Sequence, residues 1–278
     1  MRSRKPRPVL GIKGARTSEE VYYRRQLLGI VKMMEGLVTS ELVPVIKARE
    51  SEIKTDGVLT DLTMLLVNMR AKIGDLNILG NSIANKLAMG IDVMQSMRFV
   101  KLMRKAVGIN VAANMTPRVS SALEASVVKN VSLIKSIPEQ YFGKIEAIIH
   151  ENVTQGRSSG SILKDIRELS GVTKNRAKLI ARDQTAKLVS NLNMERQMQA
   201  GIIGYQWRNS KDERVRGNPS GKYPNAKYSH WNRQGKYYLW ESSSKKIIAP
   251  DGKPYNNPPP DGHPGTAICC RCTADPVI

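Results

Sequence analysis

The stretch Ala200-Gly201-Ile202-Ile203-Gly204-Tyr205-Gln206-Trp207 separates two kinds of sequence within this 278-residue chain. Before it, apolar residues recur every three or four positions, which predicts amphipathic helices. After it, Gly, Pro, Asn, Ser and Tyr become frequent and the long helical stripes stop. We therefore expect an α+β protein, with a long, mostly helical N-terminal half followed by a compact mixed α+β C-terminal domain that contains a small antiparallel sheet.

The N-terminal stripes carry signals for helix starts and breaks. A capping-box sequence, Thr17-Ser18-Glu19-Glu20, opens the first helix, and Pro44 is expected to kink or end it. Gly57 marks a break before a second stripe at 62–94, in which Gly74, Gly80 and Gly90 are further expected breaks. Pro138 is expected in the first turn of a later helix.

Further signals define the C-terminal part. Ser161 and Thr173 are expected to cap two successive helices, the first of which ends at Gly171. Short runs rich in aromatic and β-branched residues then predict strands, and Ser242–Ser244 is expected to form a hairpin loop between the last two. The predicted strands are Ile202–Trp207, Lys236–Trp240 and Lys246–Ala249, followed by an extended proline-rich stretch at Asn256–Pro260.

The charge balance points to a polyanionic partner. Lys and Arg number 44 against 24 Asp and Glu, a formal net charge of +20. Such a surplus attracts nucleic acid phosphates, although an acidic protein partner would satisfy it too. Residues 1–16 contain six Lys or Arg and no acid, so we expect a flexible basic arm. The candidate DNA contacts in this arm are Arg2, Arg4, Lys5 and Arg7.

The segment Leu169-Ser170-Gly171-Val172-Thr173-Lys174-Asn175-Arg176-Ala177 has two interpretations. Two short helices joined at Gly171 would form a hairpin whose helix N-terminus binds phosphate, with Lys174, Arg176 and Lys178 supplying charge. The simpler interpretation, which we favour, is an ordinary corner between helices.

The closing segment contains the candidate metal ligands. Cys269 and Cys272 have the C-x-x-C spacing that lets two thiolates bind one tetrahedral zinc ion, and His230 and His263 could complete four ligands. The alternative is a tight turn with buried free thiols, because the usual second pair of ligands is missing. Zn²⁺ is therefore the one cofactor that the sequence suggests.

A charged turn follows Trp207. Asp212 could accept a bidentate pair from Arg214 or Arg216. A catalytic or phosphate-binding cluster is one interpretation, but we favour an ion-paired turn that fixes a loop.

Several classes of function lack their signatures. The chain has no P-loop, H-E-x-x-H or G-x-S-x-G motif, and no third group is placed to orient a Cys–His pair. We therefore expect no enzyme and no small-molecule substrate. No apolar run reaches membrane-spanning length, and the basic N-terminus lacks the apolar core of a secretory signal. We expect no membrane anchor, and synthesis in a reducing cytoplasm.

An ordered set of motifs resembles one known family. In chain order the motifs are Arg182-Asp183-Gln184-Thr185-Ala186, Ala200-Gly201-Ile202, Tyr205-Gln206-Trp207, Asp212-Glu213-Arg214-Val215-Arg216, His230, Gly235 and Cys270-Arg271-Cys272-Thr273 with Pro276-Val277. The set resembles the phage Mu F-like minor head (head morphogenesis) proteins over about residues 155–278. Two departures are an apparent insertion at Gly217–Ser229 and a longer link, Gly265–Ile268, with an extra Cys.

The resemblance implies a low-copy virion protein at the head interior or portal vertex. Its expected partners are the portal protein, the major capsid or scaffolding protein and double-stranded DNA, and it would assist head assembly and DNA packaging or ejection. The domains would be the arm at 1–16, a helical region at 17–155 that contacts portal or capsid, and a Mu F-like domain at 156–278. The motif residues with an expected structural role are Arg182, Trp207, Asp212, Arg214, Arg216, His230, Gly235 and Arg271. The alternative is a zinc-stabilised protein that binds nucleic acid without sequence preference.

Overall fold

A computed structural model describes residues 18–50, 56–108 and 115–278. The expected basic arm at 1–16 and Thr17 of the expected capping box lie outside these residues. Helices dominate up to Gln199, and a small sheet follows, as the sequence predicts. The helices are α1 (Ser18–Leu37), α2 (Val43–Ala48), α3 (Asp56–Lys72), α4 (Leu76–Val107), α5 (Pro117–Thr154) and α6 (Ser159–Gln199), and the strands are β1 (Gly204–Arg208), β2 (Tyr237–Leu239) and β3 (Thr273–Pro276).

Pro44 is accommodated without ending the helical run. A π-helical turn at Val38–Leu42 joins α1 to α2, and the Val43 N–H donates to the Val38 carbonyl, five residues back. Pro44 then lies in the first turn of α2, a position at which helices tolerate proline.

Of the three glycines expected to break the stripe at 62–94, only Gly74 does so, because it lies between α3 and α4. Its φ of +82° lies in the left-handed region, which suits the turn between these helices. Gly80 and Gly90 instead lie inside α4. A Cβ on Gly80 would lie 3.5 Å from Cγ1 of Val131 on α5, which is an ordinary van der Waals contact.

The prediction of a new helix at Pro138 is wrong, because α5 continues through this residue. A proline inside a helix removes one backbone hydrogen bond, so packing must hold the chain on both sides. Ile134 and Ile137 before Pro138 are buried, as are Tyr141 and Phe142 after it. Burial of these side chains outweighs the local cost.

The predicted helix corner at Gly171–Thr173 is also wrong, since α6 is one helix of 41 residues. The Thr173 hydroxyl donates to the Leu169 carbonyl at 2.9 Å, a bond within the helix rather than a cap. Leu169, Thr173 and Ala177 are all buried, so tertiary packing holds the helix through the glycine. Ser158, not Ser161, caps α6, because its hydroxyl oxygen accepts the Ser161 N–H at 3.3 Å.

Residue contacts divide the chain into two compact units that are interleaved in sequence. Among the described residues, one unit comprises Ser18, Glu19, 87–108, 115–126 and 182–278, and the other comprises 20–50, 56–86 and 127–181. These units run differently from the domain boundaries that the sequence predicts, and independent folding of 156–278 stays a prediction. In the second unit, the buried Tyr23 hydroxyl donates to Asn130 Oδ1 at 2.7 Å.

The first unit contains the sheet and its aromatic core. The strand order is β2-β1-β3, and both pairings are antiparallel, which confirms the predicted small antiparallel sheet. The strand predicted at Lys246–Ala249 is absent, as Ile248 makes only an isolated bridge to Pro254. Ser242–Ser244 therefore joins no pair of strands, and β3 is a strand that the sequence analysis missed. The core residues are Tyr205, Trp207, Tyr238, Trp240, Cys270, Cys272 and Ala274.

Among the described residues, no helix combines the length and apolar character that crossing a bilayer requires.

Candidate metal centre

Three potential metal ligands converge in the core of the first unit. The His230 Nδ1 atom lies 3.4 Å from Cys270 Sγ and 3.6 Å from Cys272 Sγ. All three donor atoms lie within 4.8 Å of one another, and the three residues are buried. Imidazole nitrogen and thiolate sulfur are the donors that zinc prefers, so this group could hold a metal ion.

The local chain geometry brings these ligands together. His230 immediately precedes a 3₁₀ turn at Trp231–Arg233. The Cys270 N–H donates to the Ala267 carbonyl at 2.9 Å, which closes a turn just before β3. Cys272 lies directly before the first residue of β3, and Ala274 of that strand pairs with Trp207 of β1. The sheet therefore fixes one end of the cysteine segment.

Asp261 supports the histidine from its other side. Its Oδ2 atom lies 3.0 Å from His230 Nε2, and its Oδ1 atom accepts a 2.5 Å hydrogen bond from Arg233. Burial alone would raise the pKa of Asp261, but the hydrogen bonds from Arg233 and His230 outweigh it and lower the pKa below its usual value. A carboxylate on the second histidine nitrogen is the usual support of a metal-binding imidazole, since it leaves Nδ1 free to bind.

The two thiols of the group are electrostatically different. A hydrogen bond from Cys272 lowers the pKa of Cys270 well below its usual value, and His230 adds to this effect against the opposing influence of burial. The same hydrogen bond and burial raise the pKa of Cys272. A bound cation would hold both sulfurs as thiolates, because cysteine binds a metal ion in its deprotonated form.

Aromatic rings enclose the group. Trp207 makes an edge contact with His230 at 5.1 Å between ring centroids, and the Arg233 guanidinium lies 4.9 Å from the centre of the Trp207 ring. Trp207 is fully buried. The surroundings are therefore dry, which strengthens the electrostatic interactions of the ligands.

The family-motif residues hold the closing segment that carries the cysteines. Asp183 Oδ1 accepts the Cys269 N–H at 2.8 Å, and Arg182 donates to Cys269 Sγ at 3.1 Å. Arg216 donates to the Ile268 carbonyl at 3.0 Å. Cys269 has a φ of +53°, an unfavourable value for a residue with a Cβ, and the Asp183 contact stabilises that conformation.

Two further motif residues fix the neighbouring turns. Asp212 pairs with Arg271 at 2.5 Å and accepts the Arg214 backbone N–H at 2.9 Å. The ion-paired turn expected around Asp212 is thus present, but its arginine partner is Arg271, and the Arg214 side chain is exposed. Gly235 has a φ of +76° and its N–H donates to the Trp207 carbonyl at 2.8 Å.

The structure changes the predicted ligand set. His230 and Cys272 are in the group as expected, whereas Cys270 takes the place predicted for Cys269, whose sulfur contacts Arg182 instead. The paired spacing is therefore C-x-C rather than C-x-x-C. His263 lies outside the group, because its Nδ1 atom is 3.0 Å from the Tyr205 hydroxyl. Burial lowers the pKa of His263.

The predicted DNA contacts have different surroundings. Arg2, Arg4, Lys5 and Arg7 lie outside the described residues. Lys174 is exposed and pairs with Glu35 at 2.8 Å, and Lys178 is exposed. Arg176 is half-buried and donates to Ser136 Oγ at 2.8 Å, so it points towards α5 rather than into solvent.

The arrangement admits a second chemical interpretation. Cys270, His230 and Asp261 have the order of a nucleophile, a base and an orienting carboxylate. The sequence analysis found no such third group, because Pro260-Asp261-Gly262 has the composition of a turn and only the fold brings it beside His230. Burial opposes catalysis, since Cys270 is 6% exposed and His230 is 2% exposed. Both cysteine sulfurs lie close to the same His230 nitrogen, Nδ1. This arrangement suits a bound cation better than catalysis by one nucleophilic thiol.

A comparison with known proteins finds a relative that aligns with the whole chain. An uncharacterized protein of Haemophilus influenzae is 29% identical over 281 residues, an alignment that covers all of this chain and 56% of the relative. The chain thus spans about half the length of that protein. No family model matches the chain, and no solved structure matches it. The name of the relative states no function.

Proposed function

We propose that this chain is a minor head morphogenesis protein of a tailed bacteriophage, a low-copy virion component that associates with the portal and with packaged DNA. The observation that carries the proposal is the convergence of the motif residues on one segment. Arg182, Asp183 and Arg216 all bond to Ile268 or Cys269. Arg182 and Asp183 are adjacent and Arg216 lies further along the chain, and all three belong to the ordered set of motifs on which the resemblance to the Mu F-like family rests.

The convergence favours a structural role for the motif over a catalytic one. Two of these contacts are hydrogen bonds to the backbone of the closing segment, and the third is a hydrogen bond to the Cys269 sulfur. A module held in this way suits a protein that forms part of a larger assembly. The proposal therefore includes no enzymatic activity, with portal and capsid or scaffolding proteins as partners and the virion as the place of action.

The metal in this proposal is Zn²⁺ bound by His230, Cys270 and Cys272. Because all three ligands are buried in the folded chain, the binding free energy of the ion would stabilise the fold. The DNA association rests on the formal charge of +20. Sequence-independent phosphate contacts are the interaction that such a surplus favours.

The head-protein function is tested in particles assembled from the genome that encodes the chain. An affinity-tagged copy should co-purify with portal protein in mature particles at a few copies per portal. A variant with both Cys270→Ala and Cys272→Ala should be lost from particles, whereas Lys222→Ala, an exposed change, should be incorporated normally. Absence of the wild-type protein from mature particles would overturn the proposal.

The zinc assignment is tested on the purified chain by elemental analysis and chelation. One zinc per chain is expected, and a chelator should lower the melting temperature. His230→Ala should abolish the zinc, while His150→Ala, at an exposed histidine on α5, should leave it unchanged. Zinc in the protein and binding to DNA, together with absence from particles, would favour the second candidate, a zinc-stabilised nucleic-acid-binding protein outside the virion.

A further inference from the structure

The continuity of α6 creates a row of cationic side chains that a helix corner would have disrupted. Lys164, Arg167, Lys174 and Lys178 are all exposed on this helix. At 3.6 residues per turn, these positions and Gly171 between them fall within an arc of about 80°, and the row is about 21 Å long. All of them belong to the second compact unit.

The row is largely free of neutralising partners. Among the described residues, Lys164, Arg167 and Lys178 form no ion pair, and Lys174 pairs with Glu35. The two acidic residues of this stretch are Asp165, which pairs with Arg157 at 3.4 Å, and Glu168. Both fall outside the arc by helical geometry. The row therefore presents positive charge alone along one line of the helix surface.

We propose that this row is a binding site for the phosphate backbone of double-stranded DNA. The inference rests on the proposed association with packaged DNA and names the residues that make it. DNA carries one charge per about 1.7 Å, so a length of about 21 Å offers roughly a dozen phosphate charges to four long, mobile cations. Exposed lysine and arginine side chains on a helix surface can contact phosphate oxygens, and such contacts position a protein on the duplex without reading its sequence.

This assignment differs from the contacts that the sequence suggested. Arg176 is excluded because it bonds to Ser136 within the second unit. Lys164 and Arg167 enter because the unbroken helix aligns them with Lys174 and Lys178. The helix N-terminus that the sequence predicted at Thr173 takes no part in this site, because Thr173 lies inside α6.

The test measures binding of the full chain to a random-sequence duplex of about 30 base pairs over a range of NaCl concentrations, by fluorescence anisotropy. The row variant replaces all four cationic residues with Gln. The slope of log K against log salt should become shallower by about 3.6, or about 0.9 for each lost contact. The control variant replaces Lys32, Lys47, Lys129 and Lys144, which are exposed and unpaired within the described residues, and loses the same four charges.

The control variant should lose less than about one unit of slope, because its charges act only at a distance. Equal slopes for the row and control variants would overturn the inference, and so would a row variant that keeps DNA binding but no longer binds portal protein. If the row variant melts early for lack of the Lys174–Glu35 pair, a triple variant that keeps Lys174 should still lose about 2.7 units. If the wild-type chain fails to bind at the lowest salt, the DNA role in the proposed function is itself wrong.

Discussion

Replacing Asp261 with Asn separates the electrostatic role of this carboxylate from its size. The Asp261 side chain is 13% exposed, and it contacts the side chains of Arg233 and His230, which are 10% and 3% exposed. Removing one member of a buried ion pair leaves an uncompensated charge, which costs about 3–5 kcal/mol. The Asn oxygen can still accept one hydrogen bond, and Arg233 keeps its contact with the Trp207 ring. We therefore expect the lower end, about 3 kcal/mol of unfolding free energy.

The measurement is urea unfolding of metal-free protein, followed by the fluorescence of the buried Trp207 and Trp240. Asp251→Asn is the matched control, because Asp251, like Asp261, accepts a side-chain hydrogen bond and pairs with a cation. Its hydrogen-bond donor is the Tyr237 hydroxyl at 2.8 Å, and its cation is Lys253. Its side chain is 31% exposed and that of its partner Lys253 is 66% exposed, so the control should lose less than about 1 kcal/mol. Similar losses in both variants, at an unchanged slope with urea, would refute the reasoning from burial.

The same variant gives an independent readout at the metal. A lost carboxylate partner on a metal-binding histidine typically weakens metal binding about 10–100-fold. Competition with a chromogenic zinc chelator should therefore show this loss for Asp261→Asn and none for Asp251→Asn. Unchanged zinc affinity would show that the carboxylate does not support the ligand, whatever its effect on unfolding.

Three other changes test the packing. Asp92→Ala leaves Arg196, which is 2% exposed, without its carboxylate partner, so the free energy of unfolding should fall by about 3 kcal/mol or more. The double variant with Arg196→Met should recover most of that loss when both variants are unfolded in urea. Gly204→Ala would place a Cβ 2.6 Å from the Tyr238 carbonyl oxygen, so a lower melting temperature and about 1–3 kcal/mol of lost stability are expected. Gly171→Ala, with no atom within 4 Å of the new Cβ, should instead stabilise the helix by about 0.5–1 kcal/mol, and a lower melting temperature would contradict this.

Local pattern was sufficient where local forces decide the structure. The apolar stripes predicted the helices, Gly74 predicted the turn between α3 and α4, and aromatic runs predicted β1 and β2. Local pattern failed at Pro138 and Gly171, which have strong breaking signals. In both places buried neighbours hold the helix together, and burial of that kind depends on distant parts of the chain.

The sequence predicted the kind of site, a histidine–cysteine metal centre, but not all of the residues that form it. His230 and a cysteine pair were expected, yet Cys270 replaces Cys269 because the backbone at Cys269 takes a positive φ and directs that side chain towards Arg182. Asp261 was missed because a turn composition masks a residue whose role arises only from contact with His230. β3 was missed because Thr273–Pro276 ends in proline and has little β-branched character.

The strand order has a consequence for how the chain is made. β1 is the central strand, yet its partner β3 is synthesised only after the residues from 209 to 272. At roughly 5–20 residues per second, β1 waits for seconds with an unpaired edge that includes Tyr205 and Trp207. Unpaired strand edges readily join those of other chains, so nascent or truncated chains that lack Thr273–Pro276 should aggregate. Yield in a heterologous host should then depend on chaperone supply and on lower temperature during expression.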